Sequence, residues 1–188
     1  MSSVREWRNV FVLCTGRCGS TTFVRAAEHI TNFTAGHETR TYLTGADRFS
    51  YPTQHIEADN RLSWLLGRLD RHYGPNAFYV HLSRDPDTVA ASFVKRADKG
   101  IMRAYRTEIL MRARSRNKNA TMHDFALDYI DTVQENISLF LRDKPNQMTF
   151  QLEDANQQFV DFWGRIDAQG DLNAALAEFA VRHNASEK

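Results

Sequence analysis

The chain has 188 residues, with 24 Lys/Arg against 23 Asp/Glu and a formal charge of +1. That length suits one domain spanning 1–188 around a single core. A hydrophobic fraction of 42% and a charged fraction of 25% exclude a fibre or a disordered chain. The longest apolar run, Val10 to Cys14, is far short of the roughly 20 residues of a spanning helix, so no membrane partner is expected. The start, MSSVREWRN, lacks the apolar stretch of a signal peptide. Cys14 and Cys18, four positions apart, cannot form a disulfide framework. A soluble cytoplasmic protein is the expectation.

No internal period recurs and no low-complexity linker interrupts the chain. Residues 9–14 form a short apolar run that reads as a buried strand. It stops at Thr15-Gly-Arg-Cys-Gly19, and a helix follows with Phe23, Val24, Ala27 and Ile30 on one face. A weaker strand is expected over 32–36, then a long loop over 37–58. Asp59 and Asn60 can cap a helix that runs to Tyr73. Gly74-Pro-Asn76 breaks it and leads into a second good strand over 77–83. Asp85-Pro86 starts another helix, since Asp suits the cap and Pro the first helical position.

Residues 95–118 hold nine basic and two acidic residues, and 119–188 hold five basic and twelve acidic. Such blocks form solvated helix faces or a basic wall beside an anionic ligand. Nucleic acid is not expected as a partner, because the basic block lacks regularly interleaved aromatics and the whole chain is not basic. Helix is expected over 100–115. From Phe125, the recurrence of Tyr129, Ile130, Val133, Ile137, Phe140 and Leu141 marks a core-packed helix. Lys144-Pro-Asn146 ends it, 147–152 reads as a strand, and two helices close the chain. Strands alternating with helices predict an α/β three-layer sandwich around a mainly parallel sheet.

The strand–loop–helix at 9–31 is suited to a phosphate or sulfate group, because backbone N–H groups and the helix dipole converge at a helix start. Gly16 and Gly19 allow close approach, Ser20, Thr21 and Thr22 add hydroxyls, and Arg17 offers a guanidinium fork. Ser20 follows Gly19 where the nucleotide-kinase pattern has Lys, which argues against an ordinary ATPase. A plain strand-to-helix turn would use the same glycines. C-x-x-x-C without further partners is a poor zinc pattern; Cys14 reads as core, and Cys18 sits where a helix start can activate a thiol. The second signal is Arg84-Asp-Pro through Ser92-Phe93, which puts an arginine at a strand end and a serine two turns into the next helix.

Together, 15–22 and 84–93 resemble the 5′-phosphosulfate loop and the 3′-phosphate motif of sulfotransferases that use 3′-phosphoadenosine 5′-phosphosulfate. The 149–154 stretch resembles their late strand and Glu-Asp turn. The resemblance implies a P-loop-like α/β fold and transfer of a sulfuryl group to an acceptor hydroxyl or amine, leaving adenosine 3′,5′-bisphosphate. On it, Gly16 to Thr22, with Cys18 among them, would bind the 5′ end, Arg17 would stabilise the leaving phosphate, and Arg84 and Ser92 would grip the 3′-phosphate. No metal is implied, because fixed positive groups and N–H donors can supply the electrostatics. The family's late R-K-G-x-x-G segment has no counterpart, and Lys95, Arg96, Lys99 or Arg103 is the expected replacement.

An acceptor hydroxyl must lose its proton, so a carboxylate or His is needed near the anion loop. Glu38, after the expected second strand, is the first choice and His37 the second; both being plain loop residues is the bland alternative. His55, Glu57, Asp59 and Asn60 cluster in a polar stretch that suits a small polyhydroxylated or carbohydrate acceptor, although capping accounts for part of it. His81 reads as a satisfied sheet histidine, and Trp64 and Trp163 as core. The short chain suits a small acceptor or a site completed by a second copy in a homodimer. A non-catalytic binder of the sulfonucleotide or its bisphosphate product, and a divergent P-loop kinase, are the alternative functions.

Overall fold

The computed structural model describes residues 8–112, 115 and 117–181. Its sheet grows from β1 (Asn9–Leu13), whose five residues are buried on both faces. An uninterrupted apolar run needs that environment, and only a central parallel strand provides it. The strand order is β2 (Thr34–His37), β3 (His55–Ala58), β1, β4 (Ala77–Ser83), β5 (Gln147–Gln151), with every pairing parallel. Strand order reverses at β1, which lies between β3 and β4. In open α/β sheets the crevice beyond the strand ends at such a reversal takes the ligand.

Helices cover both faces. On one side α1 (Ser20–Ala27) packs with α6 (Ala155–Arg165) and α7 (Leu172–Ala177), and Phe23 meets Phe150, Phe159 and Phe162 at 5.1 to 5.4 Å between ring centroids. On the other, α3 (Pro86–Val94) lies against α5 (Met122–Leu141), where Phe93 and Tyr129 meet edge to face at 5.1 Å. Local signals explain the helix starts. Asp85 Oδ1 accepts from the Thr88 backbone N–H at 2.8 Å, and Thr121 and Asp124 form a reciprocal capping box ahead of α5. No helix among the described residues is long and apolar enough to cross a membrane.

The departures from expectation fall between residues 32 and 73 and after residue 100. The expected loop over 37–58 contains β3, an interior strand paired with both β1 and β2. Its sequence, His-Ile-Glu-Ala, is short and half polar, so periodicity misses it. β2 begins two residues later than expected. The expected helix up to Tyr73 is two pieces, a 3₁₀ turn at Asn60–Trp64 capped by Asp59 and then α2 at Leu66–Tyr73. The helix expected over 100–115 is α4 (Gly100–Ala104) followed by a wide π turn at Tyr105–Ile109. Residues 113 and 114 lie outside the described residues.

Candidate active site

The loop between β1 and α1 turns back on itself through three left-handed residues, Gly16 (φ 84°), Arg17 (φ 61°) and Gly19 (φ 91°). A side chain at Gly16 would collide with the Asn60 amide, and one at Gly19 would meet Leu152 Cδ1 at 2.6 Å. Glycine is thus required by conformation and by space. The loop is braced from below. Ser63 Oγ donates to the Cys14 carbonyl at 3.1 Å, and the buried Tyr129 hydroxyl donates to the Thr15 carbonyl at 2.7 Å. Ser20, Thr21 and Thr22 open α1, which has no side-chain N-cap, so its first N–H groups are available to an anion.

The cysteines are fully buried. The Cys14 S–H directed at the Cys18 sulfur lowers the Cys18 thiol; burial opposes this, and backbone N–H groups of Gly16, Cys18 and Ser20 assist it. The same contact, with burial, raises Cys14 well above its ordinary range. Cys18 was expected among the donor-binding residues, but its inward-facing side chain leaves only its backbone for that role.

Across the crevice, Arg84 ends β4 and leads into α3. Its Nε lies 4.0 Å from Glu153 Oε1, which also accepts the Asp85 N–H at 3.0 Å. Arg17 spans the two halves, its Nε donating to Ser92 Oγ at 2.9 Å. Residues 75 positions apart are thereby joined over one cleft of about 900 Å³. Arg17, Ser20, Arg84 and Ser92 all line it. Burial, reinforced by the charges of Arg96 and Arg84, lowers the Arg17 guanidinium from its usual range. Arg17 and Arg84 share the cleft with Glu153 and Asp154, so charges of both signs meet there. Thr88 and Lys95 also line the cleft. Thr88 escaped the sequence reading, although helical spacing from Ser92 would have found it.

His37 Nε2 lies 3.0 Å from Ser20 Oγ, directly beside the loop between β1 and α1. Glu38, in a left-handed conformation (φ 54°), turns away to Arg61, with Oε1 3.0 Å from Nη1. Arg61 Nη1 also donates to Asn60 Oδ1 at 2.8 Å. Glu38 is the first expectation from residue type and position, but the geometry brings His37 to the loop.

The polar cluster expected to meet an acceptor requires correction. His55, Glu57 and Asp59 are 6%, 0% and 0% exposed, so no sugar can reach them. Glu57 accepts from the Thr39 N–H and hydroxyl, both at 2.7 Å, and contacts His55 Nε2 at 2.9 Å. His55 Nδ1 in turn meets Thr34 Oγ1 at 2.8 Å. Asp59 pairs with the buried Arg48 and accepts from the Thr41 hydroxyl and the Arg61 N–H. Asn60 packs under Gly16. The cluster ties the segment after β2 to the floor of the site. His81 differs too: burial lowers its imidazole, and its Nε2 has no hydrogen-bond partner among the described residues. No group of three or more His, Cys, Asp or Glu side chains that could hold a metal ion is present among the described residues.

No family model matches the sequence, and no curated protein matches it. Solved structures do. The sulfotransferase domain from the curacin biosynthetic pathway superposes with a TM-score of 0.63 at 14% identity, over 93% of this chain and 78% of that one. The chain has the sulfotransferase fold. A sulfotransferase from Alicyclobacillus acidocaldarius gives 0.54 at 12% identity, over 88% of this chain and 85% of its own. Mouse sulfotransferase SULT7A1 complexed with PAP gives 0.56 at 11% identity, over 94% of this chain and 64% of its own. On this fold the cleft lies where the strand order reverses, between the β1 loop and α3.

Proposed function

We propose that the protein is a sulfotransferase that moves a sulfuryl group from 3′-phosphoadenosine 5′-phosphosulfate to an acceptor hydroxyl. The observation that carries this reading is the single cleft in which Arg17 of the β1 loop bonds Ser92 of α3 beside Arg84. A nucleotide with anions at both ends of its ribose uses donors from both the β1 loop and α3, which meet at the Arg17–Ser92 contact. A nucleoside triphosphate, with phosphates at the 5′ end alone, uses only the β1 loop. The likeness to a sulfotransferase complexed with PAP supports the same donor.

The donor supplies a sulfuryl group already joined to a phosphate leaving group. Gly16, Gly19 and the start of α1 hold the 5′ end through backbone N–H groups and the Ser20, Thr21 and Thr22 hydroxyls. Arg17 takes up the negative charge that develops on the bridging oxygen as the S–O bond breaks. Arg84 and Ser92 hold the 3′-phosphate. His37 Nε2, beside Ser20, accepts the proton of the attacking hydroxyl as the new S–O bond forms. Glu38 acts through Arg61 and Asn60 on the floor of the loop. With His55, Glu57 and Asp59 buried, the acceptor lies on the His37 side of the loop and not on that cluster.

The test is calorimetric titration with adenosine 3′,5′-bisphosphate and ATP, followed by sulfuryl transfer to a panel of hydroxyl acceptors. Binding that prefers the bisphosphate, with turnover in the wild type, is expected. His37→Ala should lower turnover by about 10²-fold or more and leave nucleotide affinity in place. ATP binding as tight as the bisphosphate would remove the reading. If Glu38→Gln abolishes turnover and His37→Ala does not, the base is Glu38.

A further inference from the structure

Four basic residues at and beyond the end of α3 stand close to the cleft in sequence: Lys95, Arg96, Lys99 and Arg103. Only Lys95 of these lines it. The reason is helical spacing. Thr88, Ala91, Ser92 and Lys95 fall at intervals of three and four along α3 and its C-cap, so they share one face, and all four line the cleft. Lys95 is exposed, and its ammonium has no ion-pair or hydrogen-bond partner among the described residues. Arg106, from the same basic block, shows the contrast: it is buried and paired with Asp98 at 2.6 Å.

From this placement, and resting on the donor reading above, we infer that Lys95 contacts the 3′-phosphate of the nucleotide beside Arg84 and Ser92. It thereby sets the preference for a ribose phosphorylated at the 3′ position. Arg17, which meets Ser92 through Nε, is committed to the leaving phosphate on the reading above, so the 3′-phosphate draws on other cations. Arg84 shares its guanidinium with Glu153. An ammonium with three donors on a flexible stem, one turn beyond Ser92, completes the set without demanding a planar fork. A lysine at a helix C-terminus also suits the helix dipole; that role affects folding and does not discriminate between nucleotides.

The experiment compares adenosine 3′,5′-bisphosphate with ADP, which carries the same number of phosphates at the 5′ end alone. Both are titrated into the wild type, Lys95→Ala, Lys95→Arg and Lys99→Ala. Lys95→Ala should weaken the bisphosphate by about tenfold or more, the scale of one charge-assisted contact, and ADP by less than about twofold. Lys95→Arg should restore most of the loss, Lys99→Ala should change neither ligand, and unfolding midpoints should coincide. An equal loss for both ligands, the same loss in Lys99→Ala, or undiminished bisphosphate binding in Lys95→Ala overturns the inference. In the last case a wild type that still prefers the bisphosphate keeps the donor reading intact. A wild type that binds ADP as well as the bisphosphate removes both.

Discussion

Past the end of β4, Arg84, Ser92 and Lys95 stand half-buried or exposed around an open cleft, whereas along β3 and at its end the equally polar His55, Glu57 and Asp59 are sealed inside. The difference is one of partners. Each of these three side chains finds protein donors or acceptors close by: Thr34 for His55, Thr39 for Glu57, Arg48 and Thr41 for Asp59. Burial is then affordable, because polar groups leave water only when something replaces it. Around α3, Arg84 keeps only a long contact to Glu153 and Lys95 stays exposed, so these side chains remain open to the cleft. Similar residue types thus build a brace in one place and an open cleft wall in the other.

The comparison breaks most visibly at Glu57. Glu57→Ala should cost about 3 kcal/mol of stability, since it orphans His55 and the Thr39 donors inside the protein. A urea titration with and without nucleotide checks this, and the loss should appear in both. Arg84→Ala should do the reverse. Bisphosphate affinity should fall by about 30-fold or more while the urea midpoint stays in place, because Arg84 is partly exposed and makes only a long contact to Glu153. Equal destabilisation in the two variants would mean that Arg84 belongs to the brace.

Tyr129→Phe sharpens the comparison by removing one hydroxyl from the brace. It leaves the Thr15 carbonyl without its donor, which should cost about 1 kcal/mol of stability. A small loss of nucleotide affinity should accompany it, because the loop above is less firmly held. The smallest effect is a pH slope. Burial lowers the His81 imidazole below its ordinary 6.5, so under acid conditions the unfolded chain takes up a proton that the folded protein refuses. Stability should therefore fall as pH drops below about 6.5 and level off once the folded imidazole is protonated. His81→Gln should flatten that slope between pH 7.5 and 5.5 in urea midpoints. An unchanged slope would mean that other groups carry it.

The legible parts of the fold are those whose causes lie within a few residues. β1 declares itself by an apolar run, α3 by Asp85-Pro86, and α5 by its helical stripe, and all three form near their expected bounds. β3 does not, because its polar residues are satisfied by partners from separate segments, and no local pattern records that. The turn between β1 and α1 was readable for the same local reason: left-handed turns at Gly16 and Gly19 are written in residue type.

Sequence by itself therefore determined the glycine-rich loop and the Arg84-to-Ser92 motif, the elements β1, β4, α3 and α5, and the candidate pair His37 and Glu38. Tertiary structure decided how they combine. Arg17 reaches Ser92 across 75 residues and Tyr129 supports Thr15 across 114, distances over which only the packing of helices on the sheet sets a contact. It also turned His37 to the loop and Glu38 to Arg61, and singled out Lys95 among four basic candidates. Chain conformation follows from neighbours along the sequence; the environment of a polar side chain follows from neighbours in space.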